Sequence, residues 1–433
     1  SDGTPSGARP MTPDVVVVGA GSAGCVVAQR LSRNRSVVLV EAGPTPPPVE
    51  ARLDRLVVGT ANNPSRFARW YRTTPPVVRG RVVGGSSVVN GGYFLRNDRA
   101  GFADWGGPFT AEAIEAAYDE LDGGVVAGES SGTMSVSRLP DDQVSPLVRA
   151  LEKTWRSVSA GPWPGIGAMR VPLNHRYGMR LTAADAYLSV PMTVGRPLRV
   201  RSNTSVAGLI VEKGRVVGVR LDTGEELRAG EVIVCGGTLG TAELLAGAGV
   251  VSSTLPFYEH REVLVRYRAR TVVTAAPAIL PTVAHTADRA EIRCYADDFG
   301  RFIPGVPQTS PAICVVEMAP EQAGTLAWDG ERLDVEAAPM GNVDAAIDSV
   351  VEALSSPDLA GLVVDGSVHV DPIVGASQHA WGSLAMGKRT DWLGALDGVP
   401  GLRVIDGSIL PNVSSGPHAT IMMAAVVIAD ALA

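Results

Sequence analysis

Val15 to Val18 is a run of four consecutive apolar residues ending at Gly19. An unbroken run of this length suits a parallel strand buried on both faces. Ala23 to Leu31 follows with Val26, Val27 and Leu31 on one side of a helix, and Val37 to Val40 repeats the strand pattern before Glu41. Together these segments predict a βαβ unit. Further on, Ala111 to Leu121 and Ser145 to Ser157 have helical spacing. Leu198 to Leu227 alternates like a meander, with Lys213-Gly214 and Thr223-Gly224 as turns. Glu231 to Cys235 is a further buried strand, followed by Gly236-Gly237 and a helix through Leu245.

From about Pro256 to Val370 the pattern changes. Val263 to Arg268 and Ile313 to Glu317 alternate as strands of an antiparallel sheet do, and Val343 to Leu354 is helical in spacing. The opening style then returns, with Leu402 to Ile405 as a strand and Thr420 to Leu432 as a mostly apolar helix. Similar ends around a different middle predict an α/β chain, α+β overall. A discontinuous Rossmann-like domain (11–105, 190–255 and 375–433) would carry an inserted, mainly antiparallel-sheet substrate domain (106–189 and 256–374).

Composition narrows the function. The chain has 433 residues, 45% apolar and 19% charged, with a net charge of −7. That balance, with no basic run, argues against a nucleic-acid partner. Cys25, Cys235, Cys294 and Cys314 lack metal-site or redox spacing and are expected to be small core fillers in a reducing compartment, with no metal site. No run reaches the roughly 18 apolar residues of a membrane span. Residues 1–10 are polar and rich in Gly and Pro, as in a disordered leader, and lack the apolar core of a secretion signal. A cytoplasmic location is expected, with peripheral membrane attachment as its variant.

Two glycine-rich segments carry the chemistry. In Gly19-x-Gly21-x-x-Gly24, the first glycine permits a tight turn, the second lets backbone approach a pyrophosphate, and the third lets helix and strand pack closely. The helix N-terminus then offers bare N–H groups, and Glu41 would accept hydrogen bonds from an adenosine ribose. This predicts dinucleotide binding without choosing between FAD and NAD. The second segment, Gly80 to Gly92, holds too many small residues to build a core and leaves backbone amides bare for phosphates or electron-rich rings.

The order of these elements resembles the glucose–methanol–choline (GMC) family of FAD-dependent oxidoreductases from Asp14 to Ala433. Gly80 through Phe94 is similar to the family's first signature, with Asn97 departing beyond it, and Gly237 to Leu245 resembles the second. The second is degenerate, with Ala242, Ala248 and Val251 at departing positions. Arg180 to Leu188 and Leu402 to Ser408 are also family-like. The resemblance implies bound FAD. Asn90 and Gly91 would approach the isoalloxazine, Asp406 and Gly407 the ribityl or pyrophosphate, and the Val206 backbone the adenine. Further contacts would come from Ser22, Ala42, Gly84, Gly85, Ser86, Gly92, Gly236, Ala419 and Thr420. Arg81 faces phosphate or is a solvated loop charge. Val89 stands where some members attach flavin through a histidine, so the FAD is expected to be non-covalent.

His379, in Ser377-Gln378-His379-Ala380-Trp381-Gly382-Ser383, resembles the family's His-x-x-Gly-Thr segment, and His418 lies where the family places a second His or an Asn. Oxidising an alcohol moves a hydride from carbon to flavin N5 and a proton from oxygen to a base of near-neutral pKa. His379 is the expected base. His418 would stabilise the developing alkoxide or share the base role. His175, His260, His285 and His369 are expected to be ordinary hydrogen-bonded residues, and Trp381 a packing residue. Val78 to Phe94 further resembles the mycofactocin-associated branch of the family, implying oxidation of reduced mycofactocin with electrons passed to a respiratory acceptor. The rivals are an oxygen-using alcohol oxidase, a hydroxynitrile-lyase-like enzyme that keeps FAD without redox use, and a flavin-retaining binding protein.

Overall fold

A computed structural model describes residues 12–71, 73, 76–124, 131–156, 161–271 and 277–433. The expected leader at 1–10 lies outside them. Five parallel strands form the first sheet, in the order Leu402–Val404, Glu231–Val234, Val15–Val18, Val37–Val40 and Leu198–Arg201. Val15, Val16 and Val17 are fully buried because helices Ser22–Leu31 and Pro417–Leu432 pack together beside the sheet. Each such side chain is worth about 1.5–3 kcal/mol on leaving water.

Leu198–Arg201 corrects the sequence reading. It does not open the meander but pairs in parallel with Val37–Val40 as the sheet's outer strand. The meander is shorter, with strands Val206–Glu212, Arg215–Leu221 and Glu226–Arg228 turning at the two predicted glycines. Alternation continued across the junction, so periodicity could not mark the break.

The second sheet is antiparallel throughout, in the order His369–Ala376, Arg261–Arg266, Ala312–Glu317, Ala290–Cys294, Thr282–His285 and Gly167–Arg170. Helices Asp344–Leu354 and Pro146–Thr154 contribute to the core against it. Residues 106–189, grouped by pattern with the substrate domain, feed both cores. Tyr118 and Tyr187 lie in the core of the parallel sheet, and Val148 and Leu173 in that of the antiparallel one.

Candidate active site

All five parallel strands end at one cleft. In open α/β sheets ligands bind beyond the carboxyl ends of the strands, where connections diverge. Gly19 follows the central strand, Glu41 its neighbour, Gly236 the strand on the other side and Asp406 the edge strand. Two cavities of ≈ 1480 Å³ and ≈ 240 Å³ share Gly19, Glu41, Arg79, Gly80, Gly236 and Gly240 in their walls and so form one elongated cleft. The larger is also lined by Ala42, Arg81 and Val206, and the smaller by Gly21, Ser22, Gly85, Ser86, Asn90 and Gly91. Asp406, Gly407, His379 and His418 line the smaller one as well. The sequence-predicted residues thus divide between its two ends.

Five of the predicted residues line neither cavity, and their visible roles are in packing and turns. A Cβ at Gly24 would lie 1.8 Å from the Gly19 carbonyl oxygen, so Gly24 is where helix meets strand. Gly84 (φ +106°) and Gly92 (φ +74°) turn the chain either side of Asn90. Ala419 is fully buried, and the Thr420 hydroxyl meets the Tyr118 hydroxyl at 2.9 Å.

The cleft suits an anionic, aromatic cofactor. The N-termini of helices Ser22–Leu31, Gly237–Gly247 and Pro417–Leu432 all border the smaller cavity, offering amide donors and positive dipole ends. The Glu41 carboxylate accepts from the Ala20 and Gly43 amides (2.9 and 2.8 Å), which fixes it at the cleft wall, and burial pushes its pKa up. Arg79 donates through Nη1 to the Val78 carbonyl and Gln378 Oε1, but its buried Nη2 has no partner among the described residues. A buried cationic donor without an acceptor is costly and marks a place for an electron-rich ligand. These features fit FAD.

Each site histidine is placed by an identifiable local structure. Strand His369–Ala376 ends just before His379, and Arg261–Arg266 begins just after His260. Between the pairs Arg261↔Ala376 and Tyr258↔Trp381, residues 259–260 oppose residues 377–380. The longer side bulges at Gln378, whose φ of +67° costs about 1 kcal/mol or more. The Gln378 amide offsets this by accepting from the Val78 amide (2.9 Å) and from Arg79. His379 N–H donates to Glu259 Oε1 at 2.7 Å, and burial raises that carboxyl to about 7. His418 is the second residue of helix Pro417–Leu432, edge-on to Phe94 at 5.1 Å.

Hydrogen bonding settles which His418 nitrogen carries hydrogen. Asn90 Oδ1 accepts from the Gly92 amide (3.0 Å) and from Arg180 Nη1 (2.5 Å), so its Nδ2 faces His418 Nδ1 at 3.3 Å. Nδ1 must therefore accept, and the neutral ring carries its hydrogen on Nε2. That Nε2 is buried with no partner among the described residues, a donor awaiting an oxygen. Burial, and then Arg180, pushes the His418 pKa down to about 3, keeping the ring neutral. His379 is also held well below its ordinary pKa, mainly by burial and then by Arg293 and His260.

Sequence reasoning missed Arg79, Arg180, Glu259, Gln378 and His260 as neighbours of the site. His260 is a buried, hydrogen-bonded histidine, as expected, but its Nδ1 lies 2.9 Å from His379 Nδ1. A lone histidine preceding an alternating strand carries no signal of that partner, because the contact spans 119 residues. Arg180 is fully buried, tied to Asp54 at 2.8 Å, and reaches Asn90 across 90 residues. Among the described residues no cluster of three or more His, Cys, Asp or Glu could hold a metal ion, and no helix is long and apolar enough to cross a membrane.

Comparison with known proteins gives a consistent result. Family models described as GMC oxidoreductase match residues 13–256 and 338–425. An uncharacterised GMC-type oxidoreductase of Rhodococcus erythropolis is 31% identical over 95% of this chain and 96% of its own. Pyridoxine 4-oxidase of Microbacterium luteolum is 31% identical over 55% of this chain and 52% of its own. Among solved structures, pyridoxine 4-oxidase from Mesorbium loti superposes with a TM-score of 0.84 at 21% identity, covering 96% of this chain and 98% of that one. At that identity the likeness shows the fold.

Proposed function

Because this chain belongs to the GMC oxidoreductase family, an enzyme family acting on CH–OH groups, we propose that it oxidises an alcohol to a carbonyl with non-covalent FAD, His379 being the base. The single observation that carries this reading is the pairing of an unpartnered His418 Nε2–H with His379 beside one cavity. FAD, when bound, supplies the acceptor for the hydride that leaves the carbinol carbon. His418 Nε2–H donates to the alcohol oxygen and stabilises the negative charge that develops there. His379 Nε2 takes the hydroxyl proton, so the substrate loses two electrons and two protons' worth of hydrogen in all. Asn90 and Arg180 hold the His418 donor in place. Val89 is buried and has no nucleophile, which supports a flavin released by denaturation. Four buried free cysteines support a reducing, cytoplasmic setting.

For the alcohol itself, the resemblance of Val78 to Phe94 to the mycofactocin-associated branch supports reduced mycofactocin, with electrons passed to a respiratory acceptor. A second reading, a small alcohol oxidised with oxygen as acceptor, is favoured by the pyridoxine 4-oxidase relative. The test is anaerobic mixing of the FAD-loaded protein with reduced mycofactocin and with pyridoxine. Bleaching of the flavin by either alcohol supports alcohol oxidation, and its persistence with a whole panel of alcohols would count against it. Oxygen consumption against dye reduction then separates the two acceptors.

A further inference from the structure

His379 can serve as a base only if Nε2, and not Nδ1, is the bare nitrogen in the neutral ring. The protein contains a device that enforces this. His260 is fully buried, and its Nε2 lies 3.0 Å from the Val413 carbonyl oxygen. A carbonyl can only accept, so His260 Nε2 carries the hydrogen. In a neutral ring His260 Nδ1 is then a lone pair, and it faces His379 Nδ1 at 2.9 Å with the rings nearly perpendicular (83°). Two bare nitrogens at that distance would repel and two N–H groups would clash. The arrangement therefore requires one hydrogen between them, and it belongs to His379. The other nitrogen of His379, Nε2, has no partner among the described residues, and the residue lines the cavity.

We propose that His260 is a positioning residue which, anchored on the Val413 carbonyl, holds His379 in the tautomer whose bare Nε2 faces the substrate. The inference rests on the base role assigned to His379 above. As the alcohol O–H bond breaks, the proton goes to His379 Nε2. The Nδ1–H bond is kept and its hydrogen bond to His260 strengthens as the ring becomes cationic. His260 gains no proton, and no further reactant is needed. The role is that of the orienting third member in a nucleophile–base–orienter chain, filled here by a neutral imidazole.

The surroundings keep His260 neutral. Burial is the main cause that its pKa is pushed down to about 3, and Arg293 adds to it, while the Val413 carbonyl, then Glu291 and the Met318 backbone, oppose. The other charged groups around the pair are Arg79 and Glu259 on the His379 side and Glu262, which shares Arg293 with Glu291. A protonated His260 would present N–H to His379 and force the His379 hydrogen onto Nε2, removing the base. Trp381 supports the ring at 4.6 Å, which gives that expected packing residue a share in the same task.

The experiment uses FAD-loaded protein with ¹⁵N-labelled histidine, a small set because the chain has only six. Wild type, His260→Phe and His260→Asn are compared. Phe keeps the ring shape and removes the acceptor, whereas Asn places an amide oxygen close to where Nδ1 lies. The expected wild-type spectrum has hydrogen on His379 Nδ1 and a bare Nε2. His260→Phe should move the hydrogen to Nε2 and slow flavin reduction by about 10²–10⁴-fold, the usual worth of a general base. His260→Asn should keep hydrogen on Nδ1 and lose less than about tenfold. Hydrogen on Nε2 of His379 in wild type, or an unchanged tautomer in His260→Phe, would overturn the proposal. If His260→Phe fails to take up FAD, the wild-type and His260→Asn spectra decide. Because the tautomer is read without substrate, a correct tautomer in a protein that oxidises no alcohol would sink the proposed function and leave only the hold of His260 on the His379 tautomer standing.

Discussion

Gly21 and Gly24 lie in one glycine motif yet should respond oppositely to the same substitution. At Gly21 a Cβ would meet only the Gly85 Cα, at 3.9 Å, which is ordinary contact, and its backbone (φ −80°, ψ −165°) is open to alanine. Lost N-cap preference of about 0.5–1 kcal/mol and a gain of about 0.4–1 kcal/mol from a stiffer unfolded chain should nearly cancel. The FAD-free Gly21→Ala protein should keep its stability within about 1 kcal/mol. The new methyl would nevertheless occupy the cleft wall where a pyrophosphate must approach the amides. Losing one hydrogen bond to a charged group, about 1.5–3 kcal/mol, predicts roughly 10- to 150-fold weaker FAD binding. At Gly24 the Cβ would lie 1.8 Å from the Gly19 carbonyl oxygen, so helix and strand must part. Gly24→Ala should cost about 1–3 kcal/mol or more before any cofactor is added. Urea unfolding of the FAD-free proteins and FAD titration by flavin fluorescence separate the two effects. Unchanged FAD affinity in Gly21→Ala, or a stability loss matching that of Gly24→Ala, would show that the two glycines do not divide cofactor approach and packing between them.

Other predictions follow from the histidines. His379→Ala should keep its FAD yet lose about 10²–10⁴-fold in anaerobic flavin reduction, read by stopped-flow absorbance; a flavin-retaining binding protein would show no change. His418→Ala should lose about 10²–10³-fold by removing a donor to the developing alkoxide, and a larger effect on substrate affinity than on the reduction rate would argue against that role. His260 and His418 have folded pKa values of about 3 against an ordinary 6.5, so the unfolded chain binds more protons as pH falls. Their contribution to stability is present above about 6.5 and is lost as pH falls from there towards 3. Glu259, raised to about 7 from 4.5, acts in the opposite sense between those values. Glu259→Gln should therefore steepen the fall in urea midpoint between pH 6.5 and 4.5, and a shallower slope would contradict the assignment.

What the sequence made legible was local. The βαβ opening, the glycine motif, Glu41 and the helix after Gly236 all write their roles within a few residues, and each sits at the cleft. Periodicity failed where neighbouring strands differ in partner but not in pattern, as at Leu198–Arg201. Gly24 takes the helix–strand packing role its place in the motif implied, whereas the turn made by Gly92 has no separate mark within the glycine run. The contacts proposed to set the histidine tautomers were invisible for a different reason, even where a residue such as Asn90 was itself expected at the site. His260, Val413, Asn90 and Arg180 act through contacts spanning 90 to 328 residues, which no spacing rule encodes.

The most direct test is a crystal structure of the FAD-loaded protein, measuring the distances from the flavin N5 edge to the two imidazoles. The isoalloxazine should lie in the smaller cavity with Nε2 of both His379 and His418 within reach of one oxygen atom bound over N5. A ring seated elsewhere, or turned so that either imidazole faces away from that edge, would contradict the proposed chemistry.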